Sequence, residues 1–206
     1  MRSFNPKHIQ LVGDAVIPVL GFFLWHWSLY FILLFYFIDL VTKEVLLHIK
    51  SKKILDYRKQ INTDQFKKET RSWIKFGFFS LVLLISVLVL VQLSMPFIQQ
   101  HFDYQHEIKK FWFYKEMGIE QGYVLVPLIA FMGYTQYKME FLLPAIHTKI
   151  SNSQLWNIHL KTMIILLAFT GLAFGLVHFI HFPEWIIVIS IVLISSIYQL
   201  FFHGKK

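Results

Sequence analysis

Six apolar runs, each close to the length a helix needs to cross a bilayer, constrain this chain more than any other feature. About 20 apolar residues span the roughly 30 Å of hydrocarbon in a membrane. The runs lie at Ile9–Trp25, Trp27–Leu47, Trp73–Leu93, Tyr123–Leu143, Thr162–Phe182 and Trp185–Phe202. Most boundaries carry Trp, Tyr or Pro, as interfacial anchoring requires. A hydrophobic share of 56% and a mean hydropathy of +0.53 suit a polytopic membrane protein better than a soluble one. The runs are too long and too continuously apolar for barrel strands, so helices are the spanning form. The expected fold is all-α, a polytopic bundle of six transmembrane helices in a single integral membrane domain over residues 1–206. The first run is short and contains Gly13, Asp14 and Pro18, which leaves a kinked or partly inserted segment as the alternative there.

Basic residues set the orientation. With the N-terminus inside and six alternating spans, fifteen Lys and Arg fall on the cytoplasmic side and three (Lys109, Lys110 and Lys115) on the other. This asymmetry places both termini in the cytoplasm. It also accounts for the net charge of +8 without nucleic acid, for which no recognised binding motif is present. The absence of cysteine excludes disulfides, thiolate metal sites and cysteine nucleophiles. The first run lacks a small-residue cleavage site and reads as a retained span. Compactness and the lack of a targeting segment point to a bacterial inner membrane.

Two connections are long enough to carry function. Residues 48–71 are polar and basic, with Ile54, Tyr57 and Ile61 at helical spacing. They are expected to form a short helix on the anionic headgroups of the cytoplasmic leaflet, or a docking surface for a partner. Residues 96–122 mix charges with seven aromatic residues from Phe97 to Tyr114. They are expected to form an interfacial helix, with a lid or partner contact as the alternative.

The first two runs make a hairpin turning at Trp25–Ser28, which sets Asp14 and Asp39 at nearly equal depth. Tyr36, Asp39 and Lys43 share one helix face, and Asp39 and Lys43 are spaced to pair. The fourth run adds Gln136, Lys138 and Glu140 at similar depth. Ionisable groups inside a membrane cost about 2.5–3.5 kcal/mol each on insertion scales unless paired or hydrated. The set Asp14, Tyr36, Asp39, Lys43, Gln136, Lys138 and Glu140 is therefore the expected intramembrane polar network. It serves either as a lock between helices or as a pathway for protons, ions or a polar solute. Lys43, Glu44, Lys138 and Glu140 have the alternative of snorkelling to the interface.

The ten histidines fall near the two faces of the proposed membrane, which reads as solvated interfacial histidine. Haem ligation needs paired axial histidines at matched depth; His178 with His26, or His159 with His48, are weak candidates. His178, His181 and Glu184 make a weak outer metal site, short of the three ligands and open position that catalytic zinc needs. Neither cofactor is expected. Gly171 and Gly175 form a small-xxx-small motif that lets helices approach closely, with His178 on the same face. It serves internal packing or contact with another subunit.

No nucleophile elbow, phosphate loop or dinucleotide fingerprint occurs, so no catalytic residue is assigned and an enzyme is the less favoured reading. The expected function is non-enzymatic: an accessory or scaffold subunit within a larger membrane complex. The alternative is a small transporter or channel component using Asp14 and Asp39, and a membrane-embedded metal or haem enzyme stands third.

Overall fold

Hydrogen-bonded helix takes up nearly all of the described chain, because its apolar runs are bounded by turn residues and its polar stretches are rich in Lys, Glu, Gln and Arg. The computed structural model describes residues 6–61, 63–99, 101–113, 115–116 and 119–203. Side chains at 1–12, 14, 62–63, 100, 114–119 and 196–206 lie outside that description. The helices are α1 (Pro6–Phe23), α2 (Leu29–Ile61), α3 (Thr63–Ile98), α4 (Tyr104–Phe113), α5 (Gln121–Tyr137), α6 (Ile146–Lys149), α7 (Asn152–Phe179) and α8 (Glu184–His203). Two-residue strands β1 (Lys115–Glu116) and β2 (Ile119–Glu120) pair antiparallel. The all-α expectation holds.

The chain divides into two compact units, one of residues 1–39, 100–132 and 181–206, the other of residues 40–99 and 133–180. In the first unit α1 packs against α8. The turn between α1 and α2 is set by His26 in the left-handed region, at φ 52. It folds Trp27 back over Gly21, where an added Cβ would stand 2.2 Å from the indole ring. Ser28 caps α2, its Oγ accepting from the Phe31 N–H at 3.2 Å while donating to Glu107 of α4. The Trp27 indole N–H donates to Gln121 at the start of α5. Around these contacts Phe31 meets Phe111 and Tyr30 meets Phe102, with ring centroids 4.7 and 4.9 Å apart. The aromatic connection 96–122 thus contains the helix expected of it.

In the second unit α3 lies along α7. Ser151 and Gln154 form a reciprocal capping box that starts α7, and Glu69 of α3 accepts from the Asn152 backbone N–H at 2.8 Å. A carboxylate at this end is favoured by the helix dipole. After Tyr137 the chain widens into a π turn, Lys138–Leu142, closed by the Leu143 N–H on the Lys138 carbonyl at 3.0 Å. Pro144 follows, and a proline lacks the N–H that a continuing helix needs. Ile54, Tyr137 and Phe141 make the core beside this turn.

Residues 48–71 differ from expectation. They form no separate surface helix: α2 continues to Ile61 and α3 begins at Thr63. The segment contains neither Gly nor Pro, and its straight-chain charged residues are good helix formers, so nothing stops either helix short of Asn62. α1 also runs unbroken through Pro18. Among the described residues, two helices are long and apolar enough to cross a membrane, Asp64–Ile98 and Asn152–Phe179, with a shorter apolar helix at Glu184–Ser195. The apolar half of α2 carries Asp39, Lys43 and Glu44, and α5 yields to the π turn after 17 residues.

His147 of α6 sits against the Tyr57 and Phe141 rings. Burial, and after it the charge of Lys53, holds its imidazole below the ordinary value of 6.5. A base held down in the folded state takes up fewer protons than the unfolded chain. Its full stability is therefore present above about 6.5 and is lost as the pH falls through the lowered folded value. Between about pH 7 and pH 5, the melting temperature of the native chain should fall more than that of a His147→Gln variant. Parallel curves would remove His147 from the account.

Candidate functional site

The strongest convergence of chemistry in the second unit is a carboxylate shared by three helices. Glu44 and His48 stand one turn apart on α2, the i, i+4 spacing that makes side chains neighbours. Trp73, Gly77 and Ser80 follow one face of α3, and Trp156 and His159 one face of α7. Glu44 is only 3% exposed, and Ser80 and Trp156 are fully buried.

Each bond has a direction. The Ser80 hydroxyl donates to Glu44 Oε2 at 2.8 Å. His159 Nε2 lies 2.7 Å from the same oxygen and 3.0 Å from Ser80 Oγ. A nitrogen this close to a carboxylate oxygen that already accepts from Ser80 serves as donor, so His159 carries a proton on Nε2. The Trp73 indole N–H donates to His48 Nδ1 at 2.9 Å. That leaves the proton of a neutral His48 on Nε2, 3.5 Å from Glu44 Oε1. Trp156 covers the cluster edge-on, its ring centroid 5.1 Å from His48 and 6.0 Å from His159. The fit requires Gly77: a Cβ there would stand 2.9 Å from His48 Cε1.

This arrangement excludes a nucleophilic triad. Such a triad needs the acid on one imidazole nitrogen and the hydroxyl on the other. Here one nitrogen of His159 faces both, and the serine proton points to the carboxylate. The pairing of His48 with His159 does not fit haem either, because both nitrogens of His48 face protein partners. Among the described residues no group of three His, Asp or Glu is placed to hold a metal ion.

The residues singled out from sequence fare unevenly. Gln136 Nε2 donates to Glu140 at 3.3 Å across the π turn, while Lys138 is exposed. Tyr36, Asp39 and Lys43 lie on α2. Asp39 is 9% exposed and lines a narrow crevice with Gly13 and Ile17 of α1 and Met132 of α5. The side chain of Asp14 lies outside the described residues. His178, near the end of α7, sits edge-on to Phe97 of α3 at 4.8 Å. α7 ends at Phe179, so His181 falls beyond it and the helical i, i+3 relation with His178 does not hold. Among the described residues nothing lies within 4 Å of a Cβ added at Gly171 or Gly175, so no close approach there accounts for them.

Two expectations are corrected by the cluster. Glu44 does not snorkel, since Ser80 and His159 hold it inside. His159, 15% exposed at its side chain, turns inward to that carboxylate rather than to solvent, and His48, a third exposed, reaches the same carboxylate from α2. The sequence does hold a signal for the site: Glu44 and His48 at i, i+4, and Trp156 and His159 at i, i+3. Compared with protein-family models, curated proteins and solved structures, the chain matches none. Fold and site therefore define its class on their own terms, an all-α protein with a buried carboxylate–imidazole lock.

Removing one partner from a buried pair costs about 3–5 kcal/mol, because the other group is left unsatisfied. Glu44→Ala should lower the melting temperature by roughly 6–20 °C for a chain of this size. Ser80→Ala should cost about 1 kcal/mol. A Glu44→Ala protein that melts with the native chain would show that the three helices do not depend on this group.

Proposed function

We propose that the protein is an integral membrane protein of six spans with both termini in the cytoplasm. It works without catalysis, as an accessory or scaffold subunit of a larger membrane complex, in a bacterial inner membrane. Its basic segment 48–71 faces the anionic headgroups of the cytoplasmic leaflet. The membrane setting is supported by the outer faces of α3 and α7, where bulky apolar side chains such as Phe78, Leu172 and Phe179 are 71%, 65% and 83% exposed. Soluble monomers rarely leave contiguous apolar patches beyond a few hundred Å² uncovered.

The observation that carries the subunit reading is the glycine face of α7. Each glycine inside a helix costs about 1 kcal/mol relative to alanine. Among the described residues Gly171 and Gly175 gain no close approach in return. In lipid, such a pair lets another helix backbone come near and pack.

Purification of the tagged protein in nanodiscs should yield a stoichiometric membrane-protein partner. Gly171→Ile with Gly175→Ile should lose that partner while keeping the native melting temperature. A chain that purifies alone, or a partner indifferent to both substitutions, would end the subunit reading.

A second reading, a small transporter or channel component, is favoured by one observation: the nearly buried Asp39 carboxyl on the wall of a crevice. Intramembrane carboxylates mark ion and proton pathways. On that reading Asp39→Asn abolishes proton or ion flux into proteoliposomes while leaving folding intact. Equal flux with native and variant protein would dismiss it.

A further inference from the structure

The strip of α3 turned away from the buried cluster carries its own pattern. Lys67, Arg71 and Lys75 recur at every fourth residue and form one row, and Phe66, Thr70 and Ile74 form the row beside it. Together these six line one open groove. Neighbouring cations in the row stand about 6 Å apart along the axis, a spacing that lets one phosphate accept from two of them. Three and four residues to either side of Arg71 and Lys75 there is no Asp or Glu; the nearest carboxylate along the row is Asp64, one turn before Lys67 at its far end. The nearby Glu69 is occupied with the Asn152 N–H.

Past Ile74 the same face stays apolar and uncovered through Phe78, Leu81 and Ile85, which are 71%, 43% and 58% exposed. From Ile74 to Ile85 the helix rises about 17 Å, close to one leaflet's half of a ~30 Å hydrocarbon core. A cationic row heading an apolar strip of leaflet depth matches one kind of molecule, with phosphate at one end and an acyl chain below. We propose that this groove holds one acidic phospholipid of the cytoplasmic leaflet in preference to zwitterionic lipid. The site rests on the membrane reading above and makes it specific, replacing a diffuse basic surface with a single position on α3.

The probe is a nanodisc holding equal phosphatidylglycerol and phosphatidylcholine, with retained lipid counted by native mass spectrometry of the full chain. One phosphatidylglycerol per chain should survive release. Each basic side chain beside an anionic surface contributes about fivefold to binding, so Arg71→Gln with Lys75→Gln should cut the preference about 25-fold. Lys149→Gln with Lys161→Gln, on exposed positions outside the segment 48–71, should leave it unchanged. The exchange Arg71→Lys with Lys75→Arg should keep most of it. An unchanged preference in the Arg71/Lys75 variant overturns the site, and so does an equal loss in the Lys149/Lys161 variant, which would mean a diffuse field. Carbonate extraction of native membranes separates the two levels. A chain that washes off fails both the membrane reading and the site, whereas a chain that stays but shows no lipid preference fails the site alone.

Discussion

The second unit depends on one oxygen atom. Glu44 Oε2 accepts from Ser80 of α3 and from His159 of α7 while its own helix is α2, so a single acceptor fixes the register of three helices. An apolar seam tolerates sliding by a turn, because one branched side chain packs much like another. A buried carboxylate does not, since a slip of 5.4 Å would leave donor and acceptor unpaired in a setting where an unsatisfied polar group is costly. Gly77 and Trp156 then follow as consequences. The glycine makes room for the His48 ring, and the indole seals the cluster from above.

The first unit reaches order by other means. Its polar bonds gather at the α1–α2 turn, where Ser28 and Trp27 tie α2 to Glu107 of α4 and Gln121 of α5. Aromatic contacts then spread from Phe31 and Tyr30 to Phe111 and Phe102. Tyr, Phe and Trp supply large contact area with defined edge-to-face geometry. A connection between apolar runs can in this way be folded without a large core of its own.

What the sequence discloses follows from the range of the physics involved. Apolar runs and helix-forming composition act locally, so the all-α class and the turn at Trp25–Ser28 are readable from residues alone. The continuation of α2 to Ile61 is local as well, and was obscured only because a polar stretch between apolar runs resembles a loop when polarity is weighed above propensity. Glu44 is a different matter. Its partners Ser80 and His159 lie 36 and 115 residues away. On sequence alone a glutamate near the end of an apolar run looks free to reach the interface. The short side chain of Asp39 has no such escape and marks it in the sequence, while Glu44 has a longer reach whose freedom it does not use.

Inside and outside of the second unit are chemically inverted relative to a soluble protein. Glu44 Oε2, Ser80 and His159 satisfy one another, while Glu44 Oε1 and the Trp156 indole N–H are buried without a hydrogen-bond partner among the described residues, and the outward faces carry phenylalanine, leucine, two glycines and a row of cations. The polar chemistry around Glu44 is thus mostly enclosed between the helices. The outer surface is the reverse case. Among the described residues Gly171 and Gly175 gain no close approach for their cost in helix stability, and Arg71 and Lys75 have no Asp or Glu three or four residues to either side. On the proposed reading, such features are where an external partner or lipid would pack. The search for function therefore belongs on the outer faces of α3 and α7, with the buried cluster holding those two faces in register.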